Sequence, residues 1–213
     1  LKMLNDLINS GINEVVFTPH YVSGTKYTAN NKKKKEAFLK LKKVIENNKL
    51  PIKVYLGNEI LFCDNILELL DKGEISINNS KNLLIEFPMM NLPHNAKNVF
   101  DELISAGYNV ILAHPERYYF VREDINVLND FVSMGVHLQG NYTSLFGKYG
   151  RTSKKILKKL LKRGMIDILA SDTHHEVIGN EVALRRKLKW YLKEEEINRL
   201  LFENFDLIVN NKK

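Results

Sequence analysis

The chain has 213 residues, of which 44% are hydrophobic and 27% are charged, and its 32 basic and 25 acidic residues give a formal net charge of +7. This length and composition are typical of one α/β domain over residues 1–213 and exclude a disordered or fibrous chain. No apolar run approaches the roughly 20 residues of a membrane-spanning helix, and no aromatic residues alternate with the lysine clusters, so neither a membrane span nor a nucleic-acid partner is expected.

The single cysteine, Cys63, has no partner for an internal disulfide, which indicates a reducing cytoplasm. A cysteine-dependent phosphatase needs a phosphate-binding loop that ends in arginine after its nucleophile, whereas Cys63 is followed by Asp64, Asn65 and Ile66. We therefore expect Cys63 to be structural.

Strand-length apolar runs alternate with helical patterns along the chain. Strands are predicted at 14–17, 53–56, 83–86, 110–113, 136–139 and 166–170, and helices at 31–47, 94–106, 124–134 and 153–163. This alternation favours a mostly parallel sheet or barrel of right-handed crossover units. The chain opens with a predicted helix at 1–10 where such a barrel should open with a strand, which predicts a truncated amino terminus.

Side chains of the metal-ligand type follow one predicted strand after another. They are His20, Glu59, Glu86, His114, Asp172 and His174. Because the strands of a parallel barrel end at one face, we expect these residues to converge there. Imidazole nitrogens and carboxylate oxygens together suit zinc, manganese or iron, and six such groups could hold two or three ions. Any one of them alone is more often an ordinary hydrogen-bonded loop residue, but Glu86 lies inside an apolar run and needs a cation or a hydrogen-bond partner there.

Five short motifs carry a resemblance to a known family. They are Thr18-Pro19-His20, Gly57-Asn58-Glu59-Ile60, Leu84-Ile85-Glu86-Phe87-Pro88, Ala113-His114-Pro115-Glu116-Arg117 and Ala170-Ser171-Asp172-Thr173-His174. Together with the segment 139–150, they resemble the polymerase-and-histidinol-phosphatase (PHP) phosphoesterases. Within that group they resemble the bacterial tyrosine-protein phosphatases that regulate capsule and exopolysaccharide synthesis. The resemblance covers nearly the whole chain.

The resemblance implies a fold, a cofactor and a partner. The implied fold is a distorted TIM-like barrel of about seven strand and helix units, here without its first strand. The implied cofactor is a cluster of two or three divalent ions, manganese first and zinc or iron as alternatives. The implied reaction is phosphotyrosine hydrolysis on a bacterial tyrosine kinase. By position the six residues above become metal ligands and Arg117 the phosphate binder, so Arg117, His114 and Asp172 are the expected catalytic residues.

Several residues receive other expectations. His175 is expected outside the ligand set, His94 at a helix start, and His137 as a buried, hydrogen-bonded strand residue. The family's first strand carries Asp-x-His-x-His, which is absent from this sequence. Asn180 stands near the position of a second phosphate-binding arginine, for which Arg185 or Arg186 could substitute.

Two alternative functions remain open. One is a different PHP phosphoesterase, with histidinol phosphate or a nucleotide as substrate. The other is a non-catalytic barrel that has lost its metal site.

Overall fold

The computed structural model describes residues 2–25, 31–72, 75–174 and 177–210. The strands are β1 (Glu14–Phe17), β2 (His20–Tyr21), β3 (Lys53–Leu56), β4 (Glu59–Leu61), β5 (Asn82–Glu86), β6 (Asn109–Ala113), β7 (His137–Asn141) and β8 (Ile168–Ala170). The helices are α1 (Lys2–Asn9), α2 (Asn31–Asn47), α3 (Ile66–Lys72), α4 (Ala96–Ser105), α5 (Tyr119–Glu123), α6 (Leu128–Ser133), α7 (Gly150–Lys162), α8 (Glu181–Leu188), α9 (Glu194–Asn198) and α10 (Asn204–Asn210). Short 3-10 turns cover Ile77–Asn79, Pro115–Arg117, Ile125–Val127 and Tyr142–Phe146, and a π turn covers Arg199–Glu203.

The strands form a parallel sheet that follows the order of the chain. One ladder runs β2-β4-β5-β6-β7-β8, and β1 pairs with β3. β1 and β2 are two parts of one interrupted strand, as are β3 and β4, because the amide of Gly57 donates to the carbonyl of Phe17 (2.8 Å) and the amide of Glu59 to the carbonyl of Pro19 (3.3 Å). Within the described ranges β1 and β8 do not pair with each other. The predicted α/β architecture with parallel strands is confirmed.

The central strands are buried on both faces, as expected for a parallel sheet that is covered by helices. Side chains of β5 and β6 alternate between two apolar clusters: Leu83 and Ile85 belong to the larger cluster and Leu84 and Ile111 to a smaller one. On α7, the apolar residues of 156–161 recur at helical spacing and pack into the larger cluster. This packing fixes the strands, and therefore fixes the side chains at their carboxyl ends.

The predicted elements agree most closely with the structure where the apolar pattern is strong. The strands at 14–17 and 53–56 and the helix at 31–47 are confirmed with the same bounds. The prediction of one helix over 124–134 is wrong at its start, because the carboxylate of Asp124 accepts from the amide of Asn126 and a 3-10 turn precedes α6. None of the helices in the described part of the chain is long and apolar enough to cross a bilayer.

Candidate metal centre

Three ligand-type side chains meet where β2 and β4 begin and β5 ends. His20 and Glu59 are register partners at the starts of β2 and β4, and Glu86 is the last residue of β5. Each offers one atom within 4.8 Å of the others. The Nε2 atom of His20 lies 3.4 Å from Oε2 of Glu59 and 4.0 Å from Oε1 of Glu86. The two carboxylates are mostly buried, so the cluster concentrates negative charge where water cannot fully screen it.

His114 completes this cluster from the end of β6. Its side chain is 1% exposed, and its Nε2 atom lies 3.2 Å from Oε1 of Glu59 and 3.4 Å from Oε2 of Glu86. The backbone of His114 is left-handed (φ 36°, ψ 53°), which turns the chain sharply after the strand and directs the ring to the carboxylates. Burial alone would lower the pKa of His114, but the hydrogen bonds to Glu59 and Glu86 outweigh burial and raise this pKa to about 9.

Asp172 and His174 follow β8, and His174 lies next to His20. Oδ1 of Asp172 is 3.5 Å from Nδ1 of His174, and the ring of His174 lies 5.5 Å from the ring of His20 between centroids. Asp172 also has a left-handed backbone, with φ 47°. The ring contact between His20 and His174 is the link between the Asp172–His174 pair and the cluster of His20, Glu59, Glu86 and His114.

The arrangement fits a divalent metal ion in both spacing and chemistry. Ligand atoms about 2.0–2.2 Å from a shared ion lie roughly 3 Å apart, and the contacts of Glu59 and Glu86 with His20 and His114 span 3.2–4.0 Å. Among the described residues, His20 and His114 are in contact with both of these mostly buried carboxylates. The donor set of imidazole and carboxylate is the one that zinc, manganese and iron accept.

Arg117 lies beside this group and is anchored to Asp172. Its NH1 atom donates to Oδ2 of Asp172 at 2.7 Å. The same oxygen accepts from Nδ2 of Asn141 at 2.9 Å and from the hydroxyl of Tyr149 at 2.8 Å. Burial and then the Asp172 carboxylate raise the pKa of Tyr149, so its hydroxyl is a proton donor at neutral pH. With three donors at Oδ2, it is Oδ1 of Asp172 that faces His174.

Two further buried residues support the turn that carries His114 and Arg117. The hydroxyl of Tyr118 donates to the carbonyl of Ala113 (2.7 Å) and accepts from the amide of Phe87 (2.9 Å), so it ties the ends of β6 and β5 together. Glu116 is fully buried, and its Oε1 accepts from the hydroxyl of Ser144 at 2.8 Å. Burial raises the pKa of Glu116. Glu116 is part of the motif that ends at Arg117, but the sequence predicts no role for Glu116 or for Tyr118.

The remaining candidates of the sequence have other surroundings. Asn180 caps α8, because its Oδ1 accepts from the amide of Ala183 at 2.9 Å. Arg185 donates to Glu181, Glu194 and Asn198, and Arg186 is exposed. His175 lies outside the described residues.

The expectation of a buried His137 is wrong. Its side chain is 52% exposed, and its Nδ1 atom is 3.6 Å from Oδ2 of Asp167, which raises the pKa of His137. The reason is positional: His137 is the first residue of β7, at the edge of the sheet opposite to the candidate metal centre.

His94 is an exposed residue of the turn before α4. Cys63 packs at the margin of the larger apolar cluster.

A cavity of about 850 Å³ gives access to the group from the side of β1 and β8. Its lining includes His20, Glu59, Asp172 and His174 together with apolar residues of both strands. The cavity volume lies in the range of pockets that hold small organic groups. A substrate side chain could therefore enter beside the candidate ligands.

The fold and the site define a class: a parallel α/β protein with a histidine–carboxylate centre of metal-binding type at the carboxyl ends of its strands. The family model described as "Capsular polysaccharide synthesis, CpsB/CapC" matches residues 1–210, and the chain belongs to this family.

Individual relatives are consistent with that assignment. The chain is 31% identical to CapC of Staphylococcus aureus, over all of this chain and 84% of the relative. It is 30% identical to the tyrosine-protein phosphatase YwqE of Bacillus subtilis, with the same coverage. A crystal structure from the work on YwqE and CpsB of Streptococcus pneumoniae, described as unique metal-dependent tyrosine phosphatases, superposes with a TM-score of 0.90 at 28% identity. The superposition covers 100% of this chain and 86% of the chain in the crystal structure. The predicted fold class is thereby confirmed.

Proposed function

We propose that this chain is a metal-dependent protein-tyrosine phosphatase, folded as a single domain over 1–213. Its proposed substrate is phosphotyrosine on a bacterial tyrosine kinase that regulates capsular or exopolysaccharide synthesis. The observation that carries the proposal is the contact of His114 with both Glu59 and Glu86 at 3.2 and 3.4 Å, in a family whose relatives are named tyrosine-protein phosphatases. The cytoplasm is the proposed compartment, because the lone Cys63 has no disulfide partner in the sequence.

The proposed ligands of two or three divalent ions are the six ligand-type residues named from the sequence. They are His20, Glu59, Glu86, His114, Asp172 and His174. Three carboxylates among the six donors favour manganese, with zinc and iron as alternatives. When bound, such ions supply charge neutralisation at phosphoryl oxygens and lower the pKa of water toward about 7.

Arg117 is the proposed phosphate binder. Its guanidinium carries five N–H donors in a planar fork, and the bond to Asp172 uses only one of them. The fork can hold two phosphoryl oxygens at once, and it does so more strongly as negative charge develops on them. The Asp172 contact holds Arg117 beside the proposed ligands, so a phosphate bound by Arg117 would lie next to them.

The proposal is tested by the rate of phosphotyrosine-peptide hydrolysis with added manganese. We expect His114→Ala to abolish turnover together with metal binding, and Arg117→Ala to reduce turnover by at least tenfold while metal stays bound. Arg163→Ala is the matched control, because Arg163 is an exposed arginine at the carboxyl end of α7, whereas Tyr149, which donates to Asp172 of the proposed site, lies at the amino end of this helix. Equal turnover by all three variants would refute the proposed site.

The same assay separates the alternatives. Faster turnover of histidinol phosphate than of the phosphotyrosine peptide would favour a different phosphoesterase of this fold. A parent chain with neither bound metal nor turnover would favour a non-catalytic barrel.

A further inference from the structure

Tyr149 lies between the proposed phosphate binder and one of the proposed metal ligands, and it contacts both. Its hydroxyl donates to Oδ2 of Asp172 at 2.8 Å. Its ring lies under the guanidinium of Arg117, with Cζ 4.3 Å from the ring centroid. The two partners are themselves joined by the 2.7 Å bond from NH1 of Arg117 to the same Oδ2 atom. The three side chains therefore form a closed triangle of contacts.

The local backbone directs Tyr149 into this position. Gly147 and Gly150 both have positive φ (94° and 83°), and together they turn the chain between the Tyr142–Phe146 turn and α7. A side chain at either position would be strained in this conformation. Nζ of Lys148 donates to the backbone carbonyl of Asp172 at 3.1 Å, which is a second tie between this turn and the segment after β8.

The two contacts of Tyr149 have separate physical effects. The hydroxyl, with Asn141 and Arg117, occupies Oδ2 of Asp172, so the carboxylate can rotate only by breaking three hydrogen bonds. Partners of this kind typically change the metal affinity of a site by tenfold or more when they are removed. The ring instead holds the guanidinium by a cation–π contact, which is independent of the hydroxyl.

We propose that Tyr149 is a positioning residue that orients Asp172 through its hydroxyl and Arg117 through its ring. This proposal rests on the proposed function for the roles of Arg117 and Asp172. Two substitutions separate the two effects: Tyr149→Phe removes the hydroxyl and keeps the ring, and Tyr149→Leu removes both. Tyr191→Phe is the matched control, since Tyr191 also lies under cations, but these are Lys158 and Lys162 in the second half of α7, whereas Tyr149 directly precedes α7.

The test measures manganese affinity of the purified chain by titration and, separately, KM and kcat for a phosphotyrosine peptide at saturating manganese. For Tyr149→Phe we expect about tenfold weaker manganese binding with an unchanged KM. For Tyr149→Leu we expect the same loss of metal affinity and a further two- to fivefold increase in KM. Tyr191→Phe should change neither quantity.

Three outcomes would overturn the proposal. The first is manganese affinity within twofold of the parent in Tyr149→Phe, together with an unchanged KM in Tyr149→Leu. The second is an equal loss of affinity in Tyr191→Phe, which would indicate a general loss of stability. The third is a parent chain that binds no manganese. Weaker manganese binding in Tyr149→Phe with no peptide hydrolysis by any chain, including the parent, would refute the proposed function and leave the hydroxyl's role supported.

Discussion

The Nε2 atom of His114 lies 3.2 Å from Oε1 of Glu59, and both side chains are almost entirely buried. A histidine and a carboxylate at this distance either share a proton or bind a common cation, because neither can be left charged and unpaired in a buried site. The competition between a proton and a metal ion at this pair governs the first three predictions.

Glu59→Gln should remove most of the stabilisation that manganese gives to the parent chain. A ligand present at about 100 times its dissociation constant stabilises the native state by about 2.7 kcal/mol, which corresponds to roughly 5–10 °C in Tm for a chain of this size. We expect such an increase for the parent and less than about 2 °C for Glu59→Gln, measured by thermal unfolding with manganese and with EDTA. Glu102→Gln, at an exposed position on α4, should retain the full increase, and an equal increase in Glu59→Gln would count against Glu59 as a ligand.

Manganese should bind more tightly as the pH rises toward 9. The pKa of His114 is raised from 6.5 to about 9 in the metal-free site, so a proton must leave Nε2 before a metal can bind there. Below that pKa, each pH unit should change the apparent affinity by about tenfold, with weaker binding at lower pH. Titration of the chain with manganese at pH 6.5, 7.5 and 8.5 measures this slope, and a constant affinity would show that metal binding does not displace a proton from His114.

The metal-free chain should show the opposite trend in stability. A histidine whose pKa is raised on folding stabilises the native state fully below its unfolded pKa of about 6.5, and this stabilisation is lost as the pH rises through about 9. Chemical unfolding in EDTA across this range should therefore give a decreasing free energy of unfolding in the parent. In His114→Ala this decrease should be smaller, and an identical pH profile in both chains would contradict the interpretation.

Tyr118→Phe should destabilise the chain by about 1–3 kcal/mol, because it leaves a buried carbonyl and a buried amide without their partner. Those groups are the carbonyl of Ala113 and the amide of Phe87, which end the two central strands next to the candidate ligands. The free energy of unfolding by urea measures the effect. Tyr119→Phe, one residue later and 47% exposed, should change it by less than about 0.5 kcal/mol; equal effects at the two positions would contradict the role assigned to the Tyr118 hydroxyl.

Asn180→Ala should lower stability by about 1 kcal/mol, the usual cost of removing a helix N-cap, and leave the KM for a phosphotyrosine peptide unchanged. The cap is the 2.9 Å bond from the amide of Ala183 to Oδ1 of Asn180. Unfolding and steady-state kinetics on the same variant give both quantities. A severalfold increase in KM with unchanged stability would instead indicate that Asn180 contacts the substrate.

The sequence was sufficient to predict six of the eight strands in the described part of the chain, because buried parallel strands are continuous apolar runs. It did not predict the short strands β2 and β4, which begin at His20 and Glu59. His20 and His174 are 154 positions apart in the sequence, but each follows a predicted strand. Because the carboxyl ends of parallel strands share one edge, the sequence was enough to predict that these two rings lie close together. Tyr149 could not be assigned in this way. Its contacts depend on the direction of a side chain after a glycine turn, which apolar periodicity does not encode.

The same limit explains the wrong expectation for His137 and the missing role of Tyr118. Periodicity places His137 in a strand run, but its exposure depends on its being the first residue of β7. Tyr118 directly follows the motif that ends at Arg117, yet its hydroxyl bonds to the ends of β5 and β6, and only the packed arrangement of the two strands brings these groups together.

The central claim is that one group of histidines and carboxylates holds divalent ions for phosphotyrosine hydrolysis. Its most direct test is to strip the purified chain with EDTA, titrate manganese back, and follow bound metal and peptide hydrolysis in the same samples. We predict that both increase together in the parent and that neither returns in a Glu59→Gln/Glu86→Gln double variant. Hydrolysis that is already complete before manganese is added, or that returns equally in the double variant, would contradict the account.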